Sequence, residues 1–143
     1  MKKMLTLLAL MLFANVIYGQ EFTLKSTSPD SATVIFYRGG QFAGAAINFT
    51  IRANGTELCR LSNNRYMVYK SLPKKCVFSN VAGGLNIPDK EILEIDLERG
   101  KMYFVQCDLK VSFFAQRMEM TEVTESTAKK KLVGTLPDNC MKK

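Results

Sequence analysis

Histidine and tryptophan are both absent from this chain of 143 residues. Without histidine, the chain cannot build a Ser-His-Asp or Cys-His catalytic set, a His-ligated zinc site or a histidine pH switch. Its 4 cysteines include no Cys-x-x-Cys pair, which argues against a metal site and against thioredoxin-like redox chemistry. From these absences we predict no enzyme activity, no catalytic residue, no bound metal and no cofactor.

Positive charge is in modest excess, because the chain has 20 basic and 13 acidic residues and therefore a net charge of +7. An excess of this size favours solubility and weak attraction to acidic surfaces, but it does not identify a nucleic-acid-binding protein. Apolar residues make up 47% of the chain and charged residues 23%, as in folded globular proteins. We therefore expect one folded domain and no nucleic-acid partner.

The N-terminus carries the pattern of an export signal. Lys2 and Lys3 precede an uncharged apolar run over residues 4–13, and the following segment ends at Gly19. This pattern predicts a signal peptide over residues 1–19 of bacterial style, the alternative being an uncleaved membrane anchor. The run is too short to span a bilayer comfortably, and no other stretch approaches transmembrane length. We expect an exported protein, whether periplasmic, cell-surface or secreted, with a lead-in over residues 20–31.

The body of the chain consists of short strand patterns separated by turn residues. Strands are predicted over residues 32–38, 47–52, 57–61, 66–72, 76–80, 91–97, 102–108 and 111–123. Asn54-Gly55 predicts a two-residue hairpin, in whose register Cys59 faces Thr50, away from the core. The connections are too short for crossovers, so all strands are expected to be antiparallel.

The segment after the last predicted strand changes character. Ser126 or Thr127 is expected to cap a short helix over residues 128–133. The predicted fold class is all-β: an antiparallel β-sandwich of about eight strands, prealbumin-like or immunoglobulin-like, with a short C-terminal helix. The sandwich is expected to occupy residues 32–123, and the helix and tail residues 124–143.

The four cysteines are candidates for disulfide bonds, since an exported chain with an even number of cysteines typically forms them. They are Cys59, Cys76, Cys107 and Cys140, and three connectivities are possible. If the strand that starts at Cys76 pairs antiparallel with the strand that ends near Cys107, these two residues meet. That pairing leaves Cys59 for Cys140. A Cys59–Cys76 bond is less favourable, because in a simple meander the two residues lie near opposite ends of a strand.

Acidic side chains on one predicted strand are the best placed for acid–base chemistry. Glu94 and Asp96 alternate onto one face, about 7 Å apart, a separation that suits a pair of glycosidase carboxylates. Glu91 and Glu98 flank them. The same pattern is typical of any solvated strand face, and this is the reading we prefer.

Three further sets each have a functional and a structural interpretation. The glycine-rich segment over residues 39–44 has no lysine and no following helix, so it predicts a structural loop rather than a phosphate-binding loop. Lysines at 129–131 and 142–143 suit either anionic lipid or polysaccharide, or a solvated helix face. Four aromatic residues suit either a ligand groove or, more simply, core packing: Tyr66, Tyr69, Phe104 and Phe114.

Three stretches together resemble a bacterial family called domain of unknown function 2846. They are residues 29–38 (PDSATVIFYR), the hairpin at Asn54-Gly55 with the later Leu72-Pro73 turn, and residues 100–105 (GKMYFV). The chain departs from the family pattern at Lys74, where a glycine is usual, and it lacks the cysteine of a lipid anchor. The resemblance implies a small exported β-sandwich and no known activity.

These observations predict a non-catalytic envelope or extracellular module that binds a protein or another envelope component, or supports an assembly. One alternative is a carrier of a small apolar ligand, which an internal cavity above about 300 Å³ would favour. A second, weaker alternative is a carboxylate-dependent hydrolase of glycans that uses Glu94 and Asp96.

Overall fold

A computed structural model of the protein describes residues 28–83, 92–111 and 116–141. Nine strands, one α-helix and one short 3₁₀ turn lie within these ranges, and they confirm the predicted all-β class with a helix near the C-terminus. The elements are β1 (Ala32–Arg38), β2 (Phe49–Ala53), β3 (Thr56–Leu61), β4 (Arg65–Ser71), β5 (Lys74–Ala82), β6 (Ile92–Leu97), β7 (Met102–Val111), β8 (Gln116–Val123), α1 (Glu125–Leu132), β9 (Leu136–Pro137) and the 3₁₀ turn (Asn139–Met141). The predicted signal peptide lies outside the described residues.

Two sheets form the sandwich. One has the strand order β8-β7-β1-β4-β9 and the other the order β3-β2-β5-β6. Most neighbours are antiparallel, but β1 runs parallel to β7, with Ile35 opposite Phe104, and β4 runs parallel to β9. The prediction of purely antiparallel pairing is therefore wrong. Short connections restrict only consecutive strands, whereas the chain between β1 and β7 builds β4 and the whole second sheet.

The main core lies between the two sheets. Side chains from both contribute to it, among them Phe36 of β1 and Phe78 of β5, whose rings meet edge to face at 5.0 Å between centroids. A second, smaller core lies on the other side of β1, where Ile35 and Tyr37 pack beneath Leu132 of α1. All seven residues of β1 are consequently buried. This double burial matches the sequence of the strand, which is apolar on both faces at its centre.

Helix α1 begins at Glu125, and its cap is Thr124 rather than the predicted Ser126 or Thr127. Thr124 has extended backbone angles, φ −68° and ψ 153°, and its Oγ1 accepts a hydrogen bond from the backbone N–H of Thr127 at 3.4 Å. Glu125 in the first turn and lysines in the last turn complement the helix dipole. The helix closes the second core by burying Ala128 and Leu132.

The β2–β3 hairpin turns at Asn54-Gly55 as predicted, with positive φ of 48° and 81°. Its register differs from the prediction. The pairing of Arg52 with Glu57 is followed by that of Ile51 with Cys59, so Leu58 has no partner and forms a β-bulge. The bulge reverses the predicted orientation of Cys59, which is only 4% exposed and belongs to the main core.

Candidate functional site

The loop that follows β1, residues 39–48, is anchored by an unusual buried cation. Arg38 ends β1, is 1% exposed and lies against the ring of Phe49, with Cζ 5.6 Å from the ring centroid. Its Nη1 donates to the carbonyl of Ile47 at 2.5 Å, and its Nη2 donates to the carbonyl of Gly44 at 2.9 Å. Among the described residues, no carboxylate forms an ion pair with Arg38. The positive charge of the Arg38 guanidinium is therefore compensated by carbonyl oxygens of the loop.

Two more contacts hold this loop, which we call the tip loop. The backbone N–H of Gln41 donates to Oδ1 of Asn63 at 3.0 Å, and Nδ2 of Asn63 donates to the carbonyl of Gln41 at 3.0 Å. Gly44 has φ of +74°, and a Cβ there would lie 2.3 Å from Cδ2 of Leu109. The backbone angle strongly favours glycine at this position, and any side chain there would also have to displace the end of Leu109. The predicted structural role of the glycine-rich segment agrees with these contacts.

The apex of the tip loop carries a fully exposed aromatic ring, that of Phe42. A phenylalanine side chain left in water forgoes roughly 1.5–3 kcal/mol of burial free energy. None of the residues 39–48 is charged. The exposed Val111 lies at the same end of the sandwich, because β7 runs parallel to β1 and both strands finish there. This end of the sandwich therefore presents an apolar surface whose position is fixed by the contacts of the tip loop and by the strands.

Sequence reasoning missed both Arg38 and Phe42 as site residues. An arginine at the end of a strand is ordinarily exposed, and its burial here depends on loop carbonyls that fold back over it. The available signal was the uncharged stretch of ten residues around Phe42, in a chain with 23% charged residues.

A second site lies where the C-terminal tail meets β3. Cys59 on β3 and Cys140 in the 3₁₀ turn form a disulfide with a Cα–Cα distance of 5.8 Å, as predicted. Asp138 is buried beside it, and its Oδ2 accepts from the N–H of Ser62 at 2.7 Å and its Oδ1 from the N–H of Asn139 at 2.6 Å. A groove of about 360 Å³ opens here, and we call it the tail groove. It is lined by Asn48, Glu57, Leu58, Cys59, Arg60, Ser62, Asp138, Asn139 and Cys140.

The predicted Cys76–Cys107 bond is not present. Both residues are buried free thiols. The prediction required β5 to pair with β7, but β5 pairs with β2 and β6, so the two cysteines belong to opposite sheets. Burial, reinforced by the charge of Asp108, raises the pKa of the Cys107 thiol well above its ordinary value. Cys107 is therefore a neutral core residue at physiological pH.

The predicted carboxylate pair lies on the exposed side of β6, at the edge of its sheet. Glu94 forms an ion pair with Lys75 at 2.6 Å, and Asp96 stands opposite Lys75 in the β5–β6 register. Glu98 pairs with Lys101 at 2.7 Å, and Glu91 lies outside the described residues. These carboxylates occupy a solvated, charge-paired face, and neither Glu94 nor Asp96 lines the tail groove.

The predicted aromatic set is divided between the two cores. Tyr69 meets Phe78 edge to face at 5.8 Å in the main core. Phe104 is buried in the second core, Tyr66 packs against it, and Phe114 lies outside the described residues. The helix lysines are exposed, and Lys129 pairs with Glu125 at 3.0 Å, while residues 142–143 are also outside the described ranges. The aromatic residues that the structure describes therefore pack in the cores.

No family model matches the chain, and no curated protein matches it. In the part of the chain that the structure describes, no helix has the length and apolar character needed to cross a membrane. The likeness to domain of unknown function 2846 rests on the three sequence stretches alone, and it stays a prediction.

Proposed function

We propose that this chain is an exported, non-catalytic β-sandwich module that binds a protein partner through its tip loop. The observation that carries the proposal is the full exposure of Phe42 on a loop fixed by the buried Arg38. The signal-like N-terminus and the Cys59–Cys140 disulfide support export, since disulfides persist in oxidising compartments.

The energetics of the loop favour a binding role over a merely connecting one. Burying a guanidinium without a carboxylate is costly, and among the described residues its compensation comes from carbonyl dipoles and one aromatic face. A connecting loop needs neither that cation nor an apolar ring in water. Fixing the loop in advance lowers the entropy lost on binding, and exposed aromatic anchors dominate many protein interfaces.

The chemistry of the tip loop indicates the kind of partner. Because residues 39–48 carry no charge, the loop offers no phosphate contacts of the kind that nucleic-acid binding requires. An aromatic ring with small neighbours suits an apolar pocket on a protein. We therefore propose a partner protein with such a pocket, and no nucleic-acid partner.

The carrier alternative has one relevant observation, the volume of the tail groove. Its volume of about 360 Å³ exceeds the value of about 300 Å³ expected for a ligand cavity. Its lining is mostly polar, however, with Asn48, Glu57, Arg60 and Asp138 around the disulfide. An apolar ligand would leave these groups without water or partners, so the carrier proposal ranks second.

The test begins with capture of partners from envelope extract on the oxidised protein, followed by calorimetry with the purified partner. We expect Phe42→Ala to weaken binding at least tenfold. Leu72→Ala is the matched control, because Leu72 is also exposed, at 70%, but lies at the opposite end of the sandwich. Equal binding by Phe42→Ala and the wild type would overturn the proposal. If no protein partner is captured and the protein sediments with lipid vesicles only when Phe42 is present, the loop binds membranes instead.

A further inference from the structure

Three potential metal-ligating groups converge at the base of the tail groove. The Sγ atoms of Cys59 and Cys140 and a carboxylate oxygen of Asp138 all lie within 4.8 Å of one another. Two thiolates and one carboxylate are a donor set that zinc accepts in tetrahedral sites. The groove itself provides space for a fourth, non-protein ligand such as water.

We propose that reduction of the Cys59–Cys140 disulfide turns this cluster into a binding site for zinc or a similarly soft divalent cation. The proposal is independent of the tip loop and its partner. In the oxidised protein the two sulfurs are bonded to each other, and the site is closed to a metal.

The chemistry balances with a dithiol as the reductant. The dithiol supplies two electrons and two protons, the Sγ–Sγ bond breaks, and the dithiol becomes a disulfide. The cation then displaces the two thiol protons and forms two metal–sulfur bonds of about 2.3 Å. The carboxylate of Asp138 adds a metal–oxygen bond without releasing a proton.

The ligands stay close after reduction because other contacts hold the tail. The N–H of Leu136 donates to the carbonyl of Asn64 at 3.2 Å, and the N–H of Asp138 donates to the carbonyl of Tyr66 at 2.9 Å. The carboxylate of Asp138 also accepts the N–H of Ser62. These bonds hold the tail against β4 and the end of β3 just before Cys140, so the two thiols need only rotate apart about their side-chain bonds.

The carboxylate is already oriented for a ligand. Asp138 is buried, and each of its oxygens accepts one backbone N–H, which leaves each with a further lone pair. Backbone donors of this kind position ligating carboxylates in metal sites. Glu57 also lines the groove, but its charge is balanced by that of Arg60, 3.5 Å away, so Asp138 is the carboxylate that serves the cation.

The experiment is a titration of the reduced protein with Co²⁺, whose tetrahedral thiolate complexes absorb strongly. We expect one Co²⁺ per chain, with thiolate charge-transfer absorption that Zn²⁺ abolishes by displacement, and no signal from the oxidised protein. Cys59→Ala should lose the signal, whereas Cys107→Ala, which removes a thiol outside the cluster, should keep it. Asp138→Asn should weaken binding at least tenfold.

Thermal unfolding keeps the test decisive if a variant is poorly folded. Zn²⁺ should raise the Tm of the reduced wild type and of Cys107→Ala, but not that of Cys59→Ala, because a ligand stabilises only the state that binds it. The proposal is overturned if the reduced wild type binds no Co²⁺, or if Cys59→Ala binds as tightly as Cys107→Ala. Binding that persists equally in denaturant would also overturn it, since it would belong to the unfolded thiols.

Discussion

Removal of the Cys59–Cys140 disulfide should cost a large share of the stability of this fold. The bond joins residues 81 positions apart in sequence, so it closes most of the sandwich into a single loop. The chain entropy that such a loop removes from the unfolded state corresponds to about 4.5 kcal/mol at 25 °C. Domains of this size have a total free energy of unfolding of roughly 5–15 kcal/mol. We therefore expect the variant to be marginally stable, with a Tm lower by on the order of 15 °C.

The assay is guanidinium unfolding in the presence of a chelator. Unfolding is monitored by circular dichroism, because the chain has no tryptophan whose fluorescence could report it. Two perturbations should lower the free energy of unfolding by the same amount: the double variant Cys59→Ala/Cys140→Ala, and treatment of the wild type with a phosphine reductant. The reductant should not change the midpoint of the double variant. This control separates the disulfide from Cys76 and Cys107, which are free in both proteins.

A loss below about 1 kcal/mol would refute the reasoning, because it would mean that the bond does not restrict the unfolded chain in the way calculated. A separate unfolding transition at low guanidinium concentration would refute the assumption that the protein unfolds in one step. It would show that the tail, which carries Cys140 and Asp138, leaves β3 and β4 before the sandwich unfolds. The full effect of about 4.5 kcal/mol requires that tail and sandwich unfold together.

Two further predictions concern the second core. Leu132→Ala should cost roughly 2–5 kcal/mol in the free energy of unfolding, because Leu132 of α1 is fully buried in the second core. Val133→Ala, at the neighbouring exposed position, should change it by less than about 0.5 kcal/mol, and equal effects would show that α1 is not packed as described. Burial, with a smaller contribution from the charge of Asp108, raises the pKa of Tyr37 from 10.0 to about 12. Between these values only the unfolded chain releases the phenolic proton, so the free energy of unfolding should fall as pH rises through this window. Tyr37→Phe should remove that part of the fall, and an identical slope in wild type and variant would contradict the assignment.

Local features of the fold were predictable because local chemistry determines them. The β2–β3 turn follows from the positive φ that Asn54-Gly55 tolerates. The double burial of β1 follows from an apolar stretch with no alternation at its centre. The helix was predicted but placed three residues late, because several hydroxyl residues compete for its cap and only the backbone angles at Thr124 decide between them.

Features that depend on distant residues were not predictable in the same way. Nothing near β1 in sequence shows that β7 will lie beside it in parallel. The bulge at Leu58 adds one residue to an otherwise alternating strand, so the predicted face of Cys59 was wrong although its partner Cys140 was correct. The burial of Arg38 likewise requires carbonyls from a loop that the arginine itself organises.

The placement of β1 between β4 and β7 has a consequence for how the chain folds. The partner residues Tyr37 and Gln106 are separated by 69 positions, so the central strand cannot gain its second neighbour until the chain has extended past β7. Proteins dominated by such distant pairings fold slowly compared with those built from local contacts. For a protein that crosses a membrane as an unfolded chain, as our export proposal requires, this delay is useful. Under that proposal the chain would remain unfolded through synthesis and transfer, and the sandwich and its disulfide would form together on the far side.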